Sequence, residues 1–83
     1  MSENSLAATD FELDITAEVC PMTFVRTKLQ LEKMAPGQTV NIRLRDGEAR
    51  HNVPRAVRDH GHEVLRLERI EADLFELVVC KKR

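Results

Sequence analysis

Apolar and polar residues alternate at the start of the patterned part of the chain. In "FELDI", Phe11, Leu13 and Ile15 fall on one side and Glu12 and Asp14 on the other, the period of a half-buried strand. The period then changes. Over "PMTFVRTKLQLEKM", residues 21–34, Phe24, Thr27, Leu31 and Met34 recur at helical spacing, and the Pro-Gly of "APGQT" stops the helix. "VNIRLR" alternates again, with Val40, Ile42 and Leu44 inward and Asn41, Arg43 and Arg45 outward, and "DGE" turns the chain. "NVPRAVRDHG" predicts a short second helix over 52–61. Asn52 serves as its cap, Pro54 sits in its first turn, Gly61 stops it, and Val53, Ala56, Val57 and His60 share one face. "HEVLRLERI" and "LFELVVC" are two strands joined by "EAD", in which Leu65 and Leu67 match Phe75, Leu77 and Val79 in character.

The order is therefore β-α-β-α-β-β, an α/β (α+β) chain. Each strand has one apolar and one polar face, so both helices must cover the same side of the sheet. The prediction is a two-layer sandwich whose other sheet face is open to water. That face collects Asn41, Arg43, Arg45, Arg66, Glu68 and Glu76, with Val78 and Cys80 at its end. The first helix carries a second apolar row, Met22, Val25 and Leu29, off the main stripe. Packing against the second helix is the expected role of that row, with a docking patch beside Cys20 as the alternative.

Composition adds bounds. With 83 residues the chain is one domain, near the lower size limit for folding without staples. It has no tryptophan or tyrosine and three phenylalanines, so aliphatic side chains must build the core. Residues 1–10, "MSENSLAATD", form a loose polar tail without the basic and apolar regions of a signal peptide, and residues 11–83 form the domain. No apolar run spans a bilayer. Two cysteines are too few for a secreted disulfide framework, which makes a reducing cytoplasm the simplest location.

Cys20 raises the chemical question. With Pro21 at the first helical position, Cys20 falls at the helix cap. A sulfur there meets the free N–H groups of Met22 and Thr23 and the positive end of the helix dipole. Both favour thiolate, and such cysteines fall from a pKa of ~8.5 to between ~3.5 and ~7.5. This is the environment of a nucleophile or sulfur acceptor. An inert apolar cap contact is the alternative that these residues alone leave open.

"LDITAEVCPMTFVRTKLQLEKMAPGQTVNIRL", with "NVPRAVRDHGHEVL" and "FELVVCKK", resembles the TusA/SirA-like sulfur-carrier family from Phe11 onward. That family shares an L-D-x-x-G-x-x-C-P-x-P signature, a Pro-Gly turn before the second strand and a Gly-His-Glu start to the third. The resemblance implies a mixed four-stranded sheet with the cysteine at the N-terminus of the first helix. It also implies a persulfide relay, in which Cys20 accepts sulfur from a cysteine desulfurase or rhodanese-like donor and passes it to an acceptor protein. Two positions depart from the signature: Ala17 replaces its glycine and Thr23 its second proline. Thr23 restores a backbone donor and adds a hydroxyl.

On this reading Cys20 is the persulfide carrier, Pro21 sets the turn, and the Met22 and Thr23 amides hold the charge. Arg26 and Lys28 serve docking, with Val25 and Leu29 in the apolar patch. No cofactor and no metal are expected: "HGH" places His60 and His62 around a glycine rather than at the i, i+4 spacing of paired ligands. The short hairpin and the resemblance put Cys80 at the far edge of the sheet from Cys20, too far for a disulfide. Glu68 and Glu76 mix with Arg43, Arg45 and Arg66 on the open face, and a net charge of −1 without stacking aromatics argues against nucleic acid. A monomer is expected. The competing classes are a non-catalytic interaction module on the same fold and a thiol redox protein using Cys20.

Overall fold

The structure, a computed structural model, describes residues 9–19 and 22–82. Its elements are β1 (Phe11–Asp14), α1 (Met22–Glu32), β2 (Thr39–Arg45), α2 (Glu48–Asp59), β3 (Glu63–Glu71) and β4 (Leu74–Cys80), the order the sequence predicts. The sheet runs β1-β2-β4-β3. β1 lies parallel to β2, while β4 is antiparallel to both β2 and β3, which makes the sheet mixed.

One cluster of buried side chains holds the layers together. Val40, Ile42 and Leu44 from β2 and Phe75, Leu77 and Val79 from β4 meet Leu31 and Met34 from α1 and its exit, and Val53 and Val57 from α2. Both helices therefore cover one sheet face. The alternation in β2 and β4 decides this, since shifting either strand by one residue would turn its aliphatic set to water. No helix of the described residues is long and apolar enough to cross a membrane.

Four expectations need correction. α2 begins at Glu48, not after Asn52, and Pro54 lies inside it. Gly47 precedes the helix at φ 113°, a conformation that disfavours a side chain, so the Asp46–Gly47 turn starts the helix early. Ala49, Val53 and Val57 then form an i, i+4 row against the core, and the Pro54 ring is buried beside it, which offsets the N–H that proline lacks. In α1 the inward residues are Thr23, Thr27 and Leu31, and Phe24 is half-buried at the margin. The Met22, Val25 and Leu29 row does not pack on α2; the three are 41%, 37% and 51% exposed.

The fourth concerns β3. Register shifts between Val64 and Arg66 and between Arg69 and Glu71 mark bulges, and Val64 takes the inward place expected of Leu65. Leu65, Leu67 and Ile70 remain exposed on this edge strand. At the end of α2, His60 does serve the helix terminus: its Nδ1 donates to the Ala56 carbonyl at 2.9 Å.

Candidate functional site

The loop after β1 is built by short-range bonds. The Asp14 carboxylate accepts from the Thr16 N–H at 2.9 Å and from the Thr16 hydroxyl at 2.6 Å, a turn that ends the strand. These bonds hold the Asp14 carboxyl below the usual carboxylate range. The Ile15 N–H still donates to Arg43 of β2 at 2.9 Å, and the Glu18 N–H turns back to the Ile15 carbonyl at 3.1 Å. Glu18 then accepts a hydrogen bond from Arg26 at 2.5 Å, tying the loop to the second turn of α1.

Cys20 and Pro21 lie outside the described residues. The residues that flank them are joined directly, since the Met22 N–H donates to the Val19 carbonyl at 2.7 Å. That bond withdraws Met22 from the pair of amides expected to face the sulfur. Thr23 is buried, 2% exposed. Its carbonyl accepts from the Thr27 hydroxyl at 2.8 Å, and its own hydroxyl has no partner among the described residues. A cleft of about 240 Å³ opens beside it, bounded by Ile15, Glu18 and Val19 from the loop and by Arg45 and Glu48 from the β2–α2 junction. Across that cleft the Asp46 carboxylate accepts from Arg50 and from the Gly47 N–H, which hold its carboxyl below the usual range.

The outer surface of α1 is the feature the sequence left undecided. Val19, 73% exposed, continues the Met22–Val25–Leu29 row into the loop, so four apolar side chains stand in water on both sides of position 20. The three-residue steps from Val19 to Met22 to Val25 show that these side chains share one side, but not that this side faces water. Arg26 is committed to Glu18, and Lys28 stands 3.8 Å from Glu32 on the opposite rim. The Glu18–Arg26 tether had no sequence signal, because the partners are eight residues apart with the loop between them.

The remaining candidates lie elsewhere. Cys80 pairs with Thr39 and Glu63, at the end of the sheet opposite Val19, and the length of β2 separates the two by about 20 Å. The His62 Nδ1 accepts from the Lys82 N–H at 3.2 Å, and His51 is exposed on α2. A groove of about 170 Å³ between the helices is floored by Phe24, Leu31 and Val57, where the Phe24 and His60 rings stand 5.1 Å apart.

Comparison with known proteins places this geometry. The sequence model of Sulfurtransferase TusA matches residues 11–81. A protein of Archaeoglobus fulgidus named "Putative sulfur carrier protein" is 41% identical over 70 residues, covering 84% of this chain and 80% of its own. A Thermotoga maritima protein of the same name is 36% identical, with 84% and 89% covered. Among solved structures, a SirA-like protein from Desulfitobacterium hafniense superposes with a TM-score of 0.76 at 18% identity, covering 88% of this chain and 99% of that one. A solution structure from Helicobacter pylori gives 0.68 at 19% identity, with 87% and 97% covered. The two structures share the fold; the sequence matches carry the kinship, and with them the chain belongs to the TusA sulfurtransferase family.

Proposed function

We propose that this protein is a cytoplasmic sulfur carrier that holds the sulfur as a persulfide on Cys20. The Cys20 thiolate attacks the terminal sulfur of a donor protein's persulfide, the S–S bond of the donor breaks, and the donor cysteine leaves as thiolate. The same exchange, with Cys20 as leaving group, delivers the sulfur to an acceptor protein. No electrons are gained or lost, so no redox cofactor takes part. A cysteine desulfurase or a rhodanese-like enzyme is the donor class.

The observation that carries this reading is the exposed row of Val19, Met22, Val25 and Leu29 on both sides of position 20, in a member of this family. These side chains keep from 37% to 73% of their surface in water after folding, and a surface of this kind suits a protein partner brought to the sulfur. Lys28 adds positive charge at its rim, and Arg26 acts through Glu18 by fixing the loop. For the thiolate, Pro21 sets the turn while the Thr23 amide and the α1 dipole supply the positive potential. Thr23→Pro, which removes that donor, is expected to raise the apparent pKa of Cys20 alkylation; an unchanged or lower value refutes the role of the amide.

Intact-protein mass spectrometry tests the carrier itself, after incubation with a cysteine desulfurase and cysteine and without reductant. Wild type and Cys80→Ser are expected to gain one reductant-sensitive sulfur atom, and Cys20→Ser none. If wild type gains nothing from that donor or from a rhodanese with thiosulfate, the domain is an interaction module and Cys20 carries no sulfur.

A further inference from the structure

Two bonds of different span bracket position 20. The inner one is the backbone bond from the Met22 N–H to the Val19 carbonyl, which sets the local turn. The outer one runs from the Arg26 guanidinium to the Glu18 carboxylate, eight positions apart, at 2.5 Å. Among the described residues it is the one side-chain bond between this loop and α1. The fold has little need of it. The two side chains are 42% and 27% exposed, and an ion pair so placed adds little stability. Arg45, the other cation bounding the cleft beside Glu18, is taken up by Asp73 at 3.0 Å.

The place of the pair gives it a use. Glu18 directly precedes Val19, and Arg26 directly follows Val25. On α1, Arg26 also stands four positions after Met22 and three before Leu29, the spacings at which helix side chains are neighbours. The outer apolar row comes in two pieces, Val19 on the loop and Met22, Val25 and Leu29 on the helix, and the ion pair spans their junction. Val19 is 73% exposed, so packing does not hold it in line with the helix; the two bonds do. A partner laid along the row needs both pieces in one fixed relation, and a small misplacement far from the reacting atoms is enough to slow a transfer.

We infer that Glu18 and Arg26 are positioning residues that set which kind of donor loads the carrier: by aligning Val19 with Met22, Val25 and Leu29, they favour a protein-bound persulfide over a free small one. The inference rests on the sulfur-carrier reading and deepens it. Neither side chain acts on the reacting sulfurs. A small persulfide has no surface to lay along the row and is indifferent to the alignment, whereas a protein donor reaches position 20 only across it.

The test compares two loading rates on the full chain carrying Cys80→Ser, followed by intact-protein mass spectrometry. One donor is a protein, a cysteine desulfurase preloaded from cysteine or a rhodanese preloaded from thiosulfate, whichever loads the parent chain faster. The other is glutathione persulfide, whose terminal sulfur passes to the Cys20 thiolate as its S–S bond breaks and glutathione leaves as thiolate. The readout is the ratio of the protein-donor rate to the glutathione persulfide rate, in which any change in the thiolate fraction cancels. Glu18→Gln leaves a cation unpaired and Arg26→Gln leaves a carboxylate unpaired, so their effects on thiol acidity have opposite signs. The ratio is nevertheless expected to fall about tenfold in both, and to recover when Glu18→Arg and Arg26→Glu are combined. An unchanged ratio in both single variants overturns the inference, whether the two rates hold or fall together. So does a fallen ratio that the exchanged pair fails to restore, or a parent chain that loads from glutathione persulfide but from neither protein. A parent chain that takes sulfur from none of the three refutes the carrier reading itself and removes the ground of the inference.

Discussion

The two faces of α1 are inverted relative to what a surface helix should show. Its inner face buries two threonines, Thr23 and Thr27, with one leucine, Leu31, whereas its outer face exposes Met22, Val25 and Leu29. α2 follows the usual rule, burying Val53, Pro54 and Val57 under an outer face of Glu48, Arg55, Arg58 and Asp59. Folding explains α2 completely. It does not explain why α1 keeps Met22, Val25 and Leu29 largely in water, and that unexplained exposure is the ground for proposing a partner there.

The sharpest test of this contrast uses two leucines of one helix. Leu31 is 4% exposed and Leu29 is 51% exposed. Leu31→Ala is expected to lower stability by about 3 kcal/mol in urea denaturation, from lost burial and the cavity left behind. Leu29→Ala should stay within about 0.5 kcal/mol of wild type yet slow sulfur uptake from a donor protein. Equal stability losses would mean that the outer row is structural after all.

A smaller effect separates the two buried threonines. The Thr27 hydroxyl donates to the Thr23 carbonyl, so Thr27→Val should cost about 1 kcal/mol. The Thr23 hydroxyl has no partner among the described residues, so Thr23→Val should be neutral or stabilising by up to about 1 kcal/mol. Losses of the same sign and size in both would show that the Thr23 hydroxyl is paired in solution.

The smallest effect is electrostatic and lies at the entrance to α2. Hydrogen bonds from Arg50 and Gly47 depress the Asp46 pKa in the folded state. The carboxylate therefore contributes its full share above the unfolded value near ~3.9, and loses it as pH falls through the depressed folded value. A carbon-13 carboxyl titration should find Asp14 and Asp46 both below that reference, with the amides of the first turn of α2 exchanging faster once Asp46 protonates. An Asp46 midpoint at or above the reference would remove it from the helix start.

What the sequence made legible follows from how local each cause is. Strand alternation in β2 and β4 is a two-residue signal, and it placed Val40, Ile42, Leu44, Leu77 and Val79 correctly inward. The cap at His60 was also legible, because a histidine before a glycine has few other roles at a helix end. The start of α2 was not. Pro54 pulled the predicted boundary toward itself, while the Asp46–Gly47 turn that sets it reads equally well as a simple reversal. The exposure of Met22, Val25 and Leu29 depends on where α2 lies in space, which no spacing within α1 encodes. The burial of Asn41 was hidden for the same reason, since its row neighbours come from three other strands.

The bulges of β3 have a consequence for the life of the molecule at high concentration. The strand is an edge with three exposed aliphatic side chains, a surface on which identical chains could zip together. With register shifts near both ends, only Arg66–Arg69 keeps an unbroken ladder, and that stretch is charged at three of its four positions. A second copy would find too short a template to extend. The bulges and charges of β3 thus make its open edge a poor template for strand addition.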